Sequence, residues 1–403
     1  MHYLRTKSAN LFTHYGSLAT DPICSVHKHV IKLTLTKNRI YPKSSYLYFF
    51  ADKVNSLVRI ILLLPLAVPL GAAGITFRFI ANVISPDPFI FRFGSMWNFE
   101  KDEMNIISRE NPTIFKWNIC GIGGGYPTYQ NGLKPWDERF NQIVDKIKEQ
   151  DADILFLEEV YDYKLGNKLF KALKNNYRHF YFNINPKAVG APSGQFIASR
   201  IPTSNPRVKS FPSSSNIGRI KFVGKCLFGI DIGNFSFYHT HLQHSENEHN
   251  PTTKEIEERK KQAKIILKEI SKTKNSNYNV LLGDLNMTPK ELKKSPLMRL
   301  FQSPPNLGTR SYFPVERASK ELKTKREIKN EGSFIDYILL QKSYRSITTK
   351  LIKTFSLRYP ERNISDHHGL FSRINNTPLQ NLSKATNVLG LATLIYLYFS
   401  PLK

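Results

Sequence analysis

Short apolar runs separated by loops rich in Gly, Pro, Asn and Ser fill residues 112 to 375 of the chain. This pattern is typical of a β-rich α+β domain, because short strands are bounded by turn-forming residues. Two longer segments, 136–149 and 253–271, instead repeat their apolar residues at intervals of three and four. That spacing gives a helix one apolar face. We therefore predict two helices that pack on a sheet.

The longest uncharged run is IILLLPLAVPLGAAGITF, eighteen residues at 60–77, which is at the lower limit for a membrane-spanning helix. Pro65 and Pro69 interrupt helical hydrogen bonding, so the pattern fits a bent or re-entrant hairpin as well as a span. A pair of core helices is the third interpretation. We expect membrane contact through residues 60–85.

Three further segments lie outside the β-rich domain and the uncharged run, and they differ in composition. Residues 1–59 form a basic arm, with nine Lys and Arg against two Asp. Residues 86–111 are predicted to be a linker, since prolines flank Asp87. Residues 376–403 continue as a polar linker that ends in a short apolar run, which could be an interfacial helix, a cover for the N-terminal segment, or core.

The charge of the whole chain favours a polyanionic partner. There are 58 Lys and Arg against 32 Asp and Glu, a formal net charge of +26, which suits nucleic acid or an anionic membrane surface. Three widely spaced cysteines, Cys24, Cys120 and Cys226, indicate neither a disulfide framework nor a zinc cluster. Nothing in the sequence predicts an oligomeric state.

Candidate chemistry stands at the ends of the apolar runs. NVLLGDLNMTP, residues 279–289, presents an Asp and an Asn two positions apart, which point to one side of an extended backbone. An ordinary strand exit with an Asx turn is the alternative for this stretch taken alone. Similar endings recur, and the candidates are Asn118, Glu158 or Glu159, His241, Asp284 with Asn286, Asp336, and Asp366 with His367.

These residue types together predict metal-assisted phosphoester chemistry. Carboxylate and amide oxygens suit Mg²⁺. A buried Asp336 needs a partner, and His367 held by it could take a proton from water. Glu158 and Glu159 are adjacent, so only one of them can point into a given site.

The ordered motifs WN, EE, SG…SR.P, THL, GD.N, IDY and SDH resemble those of the endonuclease/exonuclease/phosphatase superfamily over about residues 112–375. The resemblance implies a four-layer α/β sandwich with two central mixed β-sheets flanked by helices. It also implies hydrolysis of a phosphodiester or phosphomonoester that depends on Mg²⁺, with Mn²⁺ as an alternative ion. For the ion, the resemblance implies Glu159 as principal ligand, Asn118 beside it and Asp366 assisting.

The catalytic roles follow from the same resemblance. Asp284 would orient the water or act as base, while Asn286 and His241 would hold the phosphoryl oxygens. His367, held by Asp336, is the other candidate base. The sequence leaves the choice between Asp284 and His367 open.

Within the superfamily, the chain resembles the neutral sphingomyelinase branch most. THLQ at 240–243 and the proline-interrupted apolar run followed by PDPFIF carry this resemblance. It implies a membrane phospholipid as substrate, with the active site on the cytosolic side. Glu158 stands where the family commonly has Gln, and Phe334 where an Arg often precedes the IDY element. Alternatives are a DNA or RNA endonuclease of the same superfamily, which the charge of +26 suits, and a catalytically silent membrane scaffold.

Overall fold

The computed structural model describes residues 2–34, 46–95, 111–122, 133–212, 222–245, 250–272, 278–302, 310–313, 333–342, 346–355 and 363–375. The helices in these ranges are α1 His2–Thr34, α2 Tyr46–Ile84, α3 Trp136–Gln150, α4 Tyr163–Leu173, α5 Thr253–Ile270, α6 Pro289–Lys294 and a 3-10 turn at Pro296–Arg299. The strands are β1 Ile90–Phe93, β2 Thr113–Asn118, β3 Ile154–Glu158, β4 His179–Phe182, β5 Phe196–Ser199, β6 Ser204–Ser210, β7 Cys226–Ile232, β8 Phe235–Thr240, β9 Tyr278–Asp284, β10 Asp336–Leu340, β11 Ser346–Ile352 and β12 Gly369–Asn375.

The strands form two mixed sheets. The larger has the order β1-β4-β5-β3-β2-β12-β11 and the smaller β10-β9-β8-β7-β6. The β2/β3 and β8/β9 pairs are parallel, and the other neighbours are antiparallel. The β7–β8 hairpin turns at Gly233 and Asn234, as the sequence predicts.

Three apolar clusters separate four layers. One lies between the sheets and includes Phe156, Phe228 and Leu282. A second joins the larger sheet to α3 and α4, and a third joins the smaller sheet to α5. The predicted α+β class, the four-layer sandwich and the two predicted helices are therefore confirmed. Side chains alternate across each strand, so the strand-end residues of both sheets can face the gap between them.

Strand β1 lies inside the segment 86–111 that the sequence predicts to be a linker. It pairs with β4 at the edge of the larger sheet, with Ile90 opposite Phe182. Phe89 and Phe91 pack against the cluster between the sheets, which draws this short run into the fold. Residues 96–110 lie outside the described ranges.

The predicted basic arm is largely a helix. α1 packs along α2 where small residues let the backbones approach: a β-carbon on Gly74 would lie 2.8 Å from the carbonyl oxygen of Gly16. Farther along, His29 Nδ1 lies 3.2 Å from Ser56 Oγ. The connection at 35–45 is outside the described residues.

The sequence left two arrangements open for residues 60–77, a bent hairpin and a continuous spanning helix, and the structure has a continuous helix. α2 runs without a break through Pro65 and Pro69. Each proline removes one hydrogen bond to the carbonyl four residues earlier. The remaining hydrogen bonds of this 39-residue helix and its packing on α1 keep the helix continuous at these positions.

The outer face of α2 is apolar and exposed. Leu62 is 67% exposed and Leu66 55%. By length and composition, Phe49–Ile84 is the one helix in the described part of the chain that could cross a membrane, and 17% of its most apolar window is buried. A core helix would be mostly buried, so the core-pair interpretation does not fit.

The helical pair α1–α2 contacts the two-sheet domain near the start of α4. Arg78 Nη1 donates to the Gly190 carbonyl at 3.1 Å, and Asp21 Oδ2 lies 3.7 Å from Lys164 Nζ. His14 and Tyr163 have ring centroids 6.0 Å apart. The predicted C-terminal segment, 376–403, lies outside the described residues.

Candidate active site

The polar strand ends gather at one edge of the sandwich. β2 and β3 are parallel, as are β8 and β9, and β10 begins beside the end of β9 because it is antiparallel to it. The segment before β12 completes the edge. Side-chain contacts connect Asn118, Glu159, His241, Asp284, Asp336 and His367 there.

Asn118 stands at the centre of this group. Its Nδ2 lies 3.1 Å from Glu159 Oε1, 3.2 Å from Asp284 Oδ2 and 3.4 Å from His367 Nε2. Its Oδ1 accepts from the backbone N–H of Cys120 at 3.0 Å. The last residue of β2 is thus in hydrogen-bond reach of the polar groups from three other segments.

The two adjacent glutamates face different environments. Glu158 is the last residue of β3, is fully buried between the sheets and has its Oε1 2.8 Å from His239 Nε2. Glu159 follows with φ of 63°, in the left-handed region, and this reversal brings its carboxylate to Asn118. As expected, only one of the pair reaches the site.

Asp366 lies at the same edge. Its Oδ1 lies 3.4 Å from Ser365 Oγ, and Ser365 Oγ also donates to the Asn118 carbonyl at 2.7 Å. The loop before β12 is thereby tied to the end of β2. Asp366 is close enough for its charge to add to the effect of burial in raising the pKa of Glu159.

This donor set fits a cation. Burial, followed by the charge of Asp366, raises the pKa of Glu159 to about 7. Burial, followed by the charge of Asp336, raises the pKa of Asp284 to about 6, and burial also raises the pKa of Asp366. Burial and the neighbouring negative charges disfavour the ionised forms of these carboxylates. A bound divalent ion would favour those forms, and oxygen donors suit Mg²⁺.

A second set of ligand atoms, from Asp284, Asp336 and His367, lies within 4.8 Å of one another. Both oxygens of Asp336 are engaged, however: Oδ1 accepts from Lys116 and Oδ2 lies 2.9 Å from His367 Nδ1. Of these three residues, Asp336 is therefore the one whose oxygens both already contact other side chains.

His367 is held on one side and available on the other. Its Nδ1 bonds Asp336, and its backbone carbonyl accepts from Trp117 Nε1 at 3.1 Å. Burial alone would lower the pKa of His367, but the carboxylates of Asp336, Asp366 and Asp284 raise it to about 10. Lys116 and His367 hold the pKa of Asp336 well below its usual range against the effect of burial. The other ring nitrogen, Nε2, faces Asn118 Nδ2 at 3.4 Å and Asp284 Oδ2 at 3.8 Å.

Asp284 and Asn286 keep the relation that the sequence predicts. The Asn286 N–H donates to Asp284 Oδ1 at 3.0 Å, and Asn286 has φ of 52°. Asn286 Nδ2 also donates to the Leu242 carbonyl at 3.2 Å. His241 Nε2 lies 3.6 Å from Asp284 Oδ2, and its buried Nδ1 has no hydrogen-bond partner within the described residues. Burial, with Lys225 nearby, lowers the pKa of His241 well below its usual range, so the ring is neutral.

Three basic residues at the site were missed by sequence reasoning. Lys116 and Lys225 lie in segments that the alternation of apolar and polar residues predicts to be strands. No local pattern indicates that either lysine is at the site. Lys225 Nζ donates to the Leu242 carbonyl at 2.8 Å, beside His241 and Asn286, and burial lowers its pKa to about 8. Arg139 is buried on the apolar stripe of α3, which is a detectable signal, and it donates to the Cys120 carbonyl at 2.6 Å.

Solved structures share this fold. SmcL is 17% identical over 66% of this chain and 99% of its own, with a TM-score of 0.51. Beta toxin from Staphylococcus aureus is 16% identical over 65% of this chain and 99% of its own, with a TM-score of 0.50. Sphingomyelinase C from Streptomyces griseocarneus is 15% identical over 66% and 99%, with a TM-score of 0.48. At such identities the likeness establishes the fold.

No curated protein sequence matches the chain. The model of the Endonuclease/Exonuclease/phosphatase family, however, matches residues 117–367, more than half of the 403 residues. This range runs from the residue before Asn118 to His367 and so contains the whole edge described above. The family's members are metal-dependent phosphodiesterases and phosphatases. The chain belongs to the Endonuclease/Exonuclease/phosphatase family.

Proposed function

We propose that this protein is a Mg²⁺-dependent phosphodiesterase that hydrolyses a phospholipid headgroup at a membrane, with sphingomyelinase-like, phospholipase C-type cleavage. Family membership supports the phosphoester chemistry. The observation that carries the lipid assignment is the exposed apolar face of α2, which belongs to a helical pair docked beside α4. α4 begins four residues after Glu159, so the apolar surface and the site are close in the chain.

Glu159, Asn118 and Asp366 are the residues that would hold Mg²⁺, with Mn²⁺ as an alternative. The ion would neutralise charge on the phosphoryl oxygens and make the attacking water more acidic. The raised pKa values of Glu159 and Asp366 support this assignment, because burial disfavours the ionised carboxylates and a divalent ion would favour them.

The protein's own groups would handle the proton and the phosphoryl oxygens. His367 acts as base in the form that has lost its Nε2 proton, and a bound cation favours that form by offsetting the charge of Asp366 and Asp284, which help to raise the pKa of His367. In that form Nε2 takes a proton from water as the water oxygen bonds to phosphorus, while Nδ1–H stays on Asp336. The bond from phosphorus to the lipid oxygen breaks, the lipid leaves as an alcohol after its oxygen takes a proton from solvent water, and the phosphorylated headgroup is released. His241 and Asn286 hold phosphoryl oxygens, for which the unpartnered Nδ1 of His241 is suited. Asp284 is the alternative base, since its pKa of about 6 allows proton transfer near neutrality.

The membrane would hold the enzyme through residues 60–85, with the basic residues of the N-terminal region on anionic headgroups. We place the active site on the cytosolic side. In this arrangement the substrate is in the same bilayer that binds the helical pair.

The test offers the full-length protein and Mg²⁺ four substrates in parallel: liposomes with sphingomyelin, lysophospholipid or phosphoinositide, and abasic DNA. We expect release of a phosphorylated headgroup from one lipid and its loss with a chelator. The net charge of +26 favours the second candidate, a nuclease, and faster cleavage of DNA than of any lipid would establish it. No turnover of any substrate would favour the membrane scaffold.

A further inference from the structure

A row of charged and polar side chains lies between the two sheets, directly behind the candidate base. Lys116 Nζ lies 3.3 Å from Glu158 Oε2 and also donates to Asp336 Oδ1. Glu158 Oε1 continues the row to His239 Nε2 at 2.8 Å. All four side chains have an exposed fraction of 0%. The row crosses the gap, because Lys116 and Glu158 belong to the larger sheet and His239 and Asp336 to the smaller.

Lys116 occupies a position that the strand pattern would make apolar. Alternate residues of β2 face the gap, and Ile114 on the same face belongs to the apolar cluster there, as do Ile154 and Phe156 on β3. Taking a charged pair out of water costs several kcal/mol per ion, and an apolar pair of similar volume is often at least as stable. A contribution to stability alone therefore does not account for a lysine and a glutamate here.

The row continues to the reacting side of the site through Asp336. The two oxygens of this carboxylate have different partners. Oδ1 accepts a hydrogen bond from Lys116 Nζ, and Oδ2 lies 2.9 Å from His367 Nδ1. Lys116 therefore fixes the rotation of the Asp336 carboxylate. That rotation in turn sets the ring of His367, whose Nε2 lies 3.4 Å from Asn118 Nδ2 and 3.8 Å from Asp284 Oδ2.

We propose that Lys116 and Glu158 are a matched charge pair that positions Asp336 and, through it, His367. Lys116 is the cation shared by two buried carboxylates, and Glu158 offsets the charge of Lys116 and anchors it from the neighbouring strand β3 of the same sheet. Neither residue touches the reacting atoms, so both are positioning residues. The inference rests on the proposed function, because the role given to His367 is that of the base in hydrolysis.

The test is a charge-balance series. Lys116→Met leaves Glu158 and Asp336 buried without a cation, Glu158→Gln leaves Lys116 with Asp336 alone, and the double variant removes one charge of each sign. The control is Lys260→Met with Glu257→Gln, an exposed pair on α5 at 3.6 Å. For each variant, kcat and KM per folded molecule are measured on bis-p-nitrophenyl phosphate with Mg²⁺.

We expect Lys116→Met to lower kcat about 100-fold, with KM changed by less than about 3-fold, since orientation of a base contributes on this scale. Glu158→Gln should lower kcat about 10-fold, because Lys116 loses its second charged partner. The double variant should recover about 10-fold over Lys116→Met, because one unpaired charge is removed with the other. The exposed control should match the wild type. Lys116→Gln, which keeps an amide donor without the charge, replaces Lys116→Met if that variant does not fold.

A second readout does not require turnover. In protein labelled with ¹⁵N-histidine, the Nδ1 proton of His367 bonded to Asp336 should give a resonance that is lost in Lys116→Met and regained in the double variant. The proposal is overturned if Lys116→Met keeps both kcat and this resonance, or if the double variant is no better than the single one. Should the wild type cleave no phosphoester, the proposed function fails, and the resonance still decides the positioning role.

Discussion

Asp284, the last residue of β9, is the register partner of Asp336, the first residue of β10. Register partners on neighbouring strands present their side chains on the same face of a sheet. The two carboxylates therefore reach one imidazole from one strand pair: Asp336 Oδ2 lies 2.9 Å from His367 Nδ1, and Asp284 Oδ2 lies 3.8 Å from Nε2. The two candidate bases thus belong to one connected group.

Removing the base and removing its partner should have graded effects. We expect His367→Ala to lower kcat by about 10²–10⁴-fold on a phosphodiester with Mg²⁺, because the proton acceptor is gone. Asp336→Asn should be impaired less severely or equally, through loss of ring orientation. Asp151→Asn, at an exposed aspartate that pairs with Arg200, is the matched control. Normal turnover in both variants would move the base to Asp284.

Metal binding should stabilise the protein more at high pH than at low pH. Without the ion, the pKa of Glu159 is about 7 in the folded protein against 4.5 ordinarily, so the folded state binds this proton more tightly than the unfolded chain. Stability should therefore fall as the pH rises from about 4.5 to 7, and Mg²⁺ should restore it. The measurement is Tm with and without Mg²⁺ at pH 5 and pH 8.

Glu159→Gln tests the same residue. We expect it to remove most of the Mg²⁺-dependent rise in Tm and to lower activity by orders of magnitude, because the principal charged ligand is lost. Glu149→Gln, at an exposed glutamate near the end of α3, is the control. Full activity of Glu159→Gln, or of the wild type in excess chelator, would contradict the metal assignment.

Replacement by alanine should affect the stability of the protein very differently at two glycines, Gly283 and Gly233. Gly283 precedes Asp284 with φ of +146°, and a β-carbon there would lie 1.7 Å from the Thr240 carbonyl oxygen. Gly283→Ala should force β8 and β9 apart and sharply reduce the yield of folded protein. Gly233, in the β7–β8 turn, has nothing within 4 Å of an added β-carbon, so Gly233→Ala should cost only about 1–2 kcal/mol from its positive φ. Equal thermal stability of the two variants would contradict the geometry.

The apolar face of α2 should determine membrane binding. We expect Leu62→Glu with Leu66→Glu to reduce co-sedimentation with anionic liposomes and to lower turnover of bilayer lipid, while turnover of a soluble phosphodiester is kept. Phe93→Glu, at a similarly exposed side chain on β1, is the control. Unchanged binding and unchanged lipid turnover in the double variant would remove the support for a lipid substrate.

The sequence was informative where chemistry or periodicity recurs. The strand ends at Asn118, Glu159 and Asp284 could be predicted to converge, because parallel strands end at one edge. Helix α3 could be predicted from its apolar spacing. The pairing of His367 with Asp336 followed from the cost of burying a lone carboxylate.

The missed features depend on tertiary contacts that no local pattern contains. Lys116 looks like an exposed strand residue until β10 is placed opposite β2 with Asp336 in reach. β1 becomes a strand only because β4, some ninety residues later in the chain, offers it an edge. α2 continues through its prolines while packed on α1, a segment whose basic composition suggested an arm.

Only residues 85–89 separate α2 from β1, and five residues reach at most about 17 Å. They are also held, since the Asn185 N–H donates to the Pro88 carbonyl at 2.7 Å and Ser85 Oγ donates to the Asp87 carbonyl at 2.6 Å. With α2 as the membrane anchor, as the proposed function has it, a domain tied so closely to α2 would have almost no search radius of its own. On a bilayer, lipid substrate would reach the active site by lateral diffusion. The rate of lipid hydrolysis would therefore depend on the surface density of the lipid in the bilayer rather than on its bulk concentration.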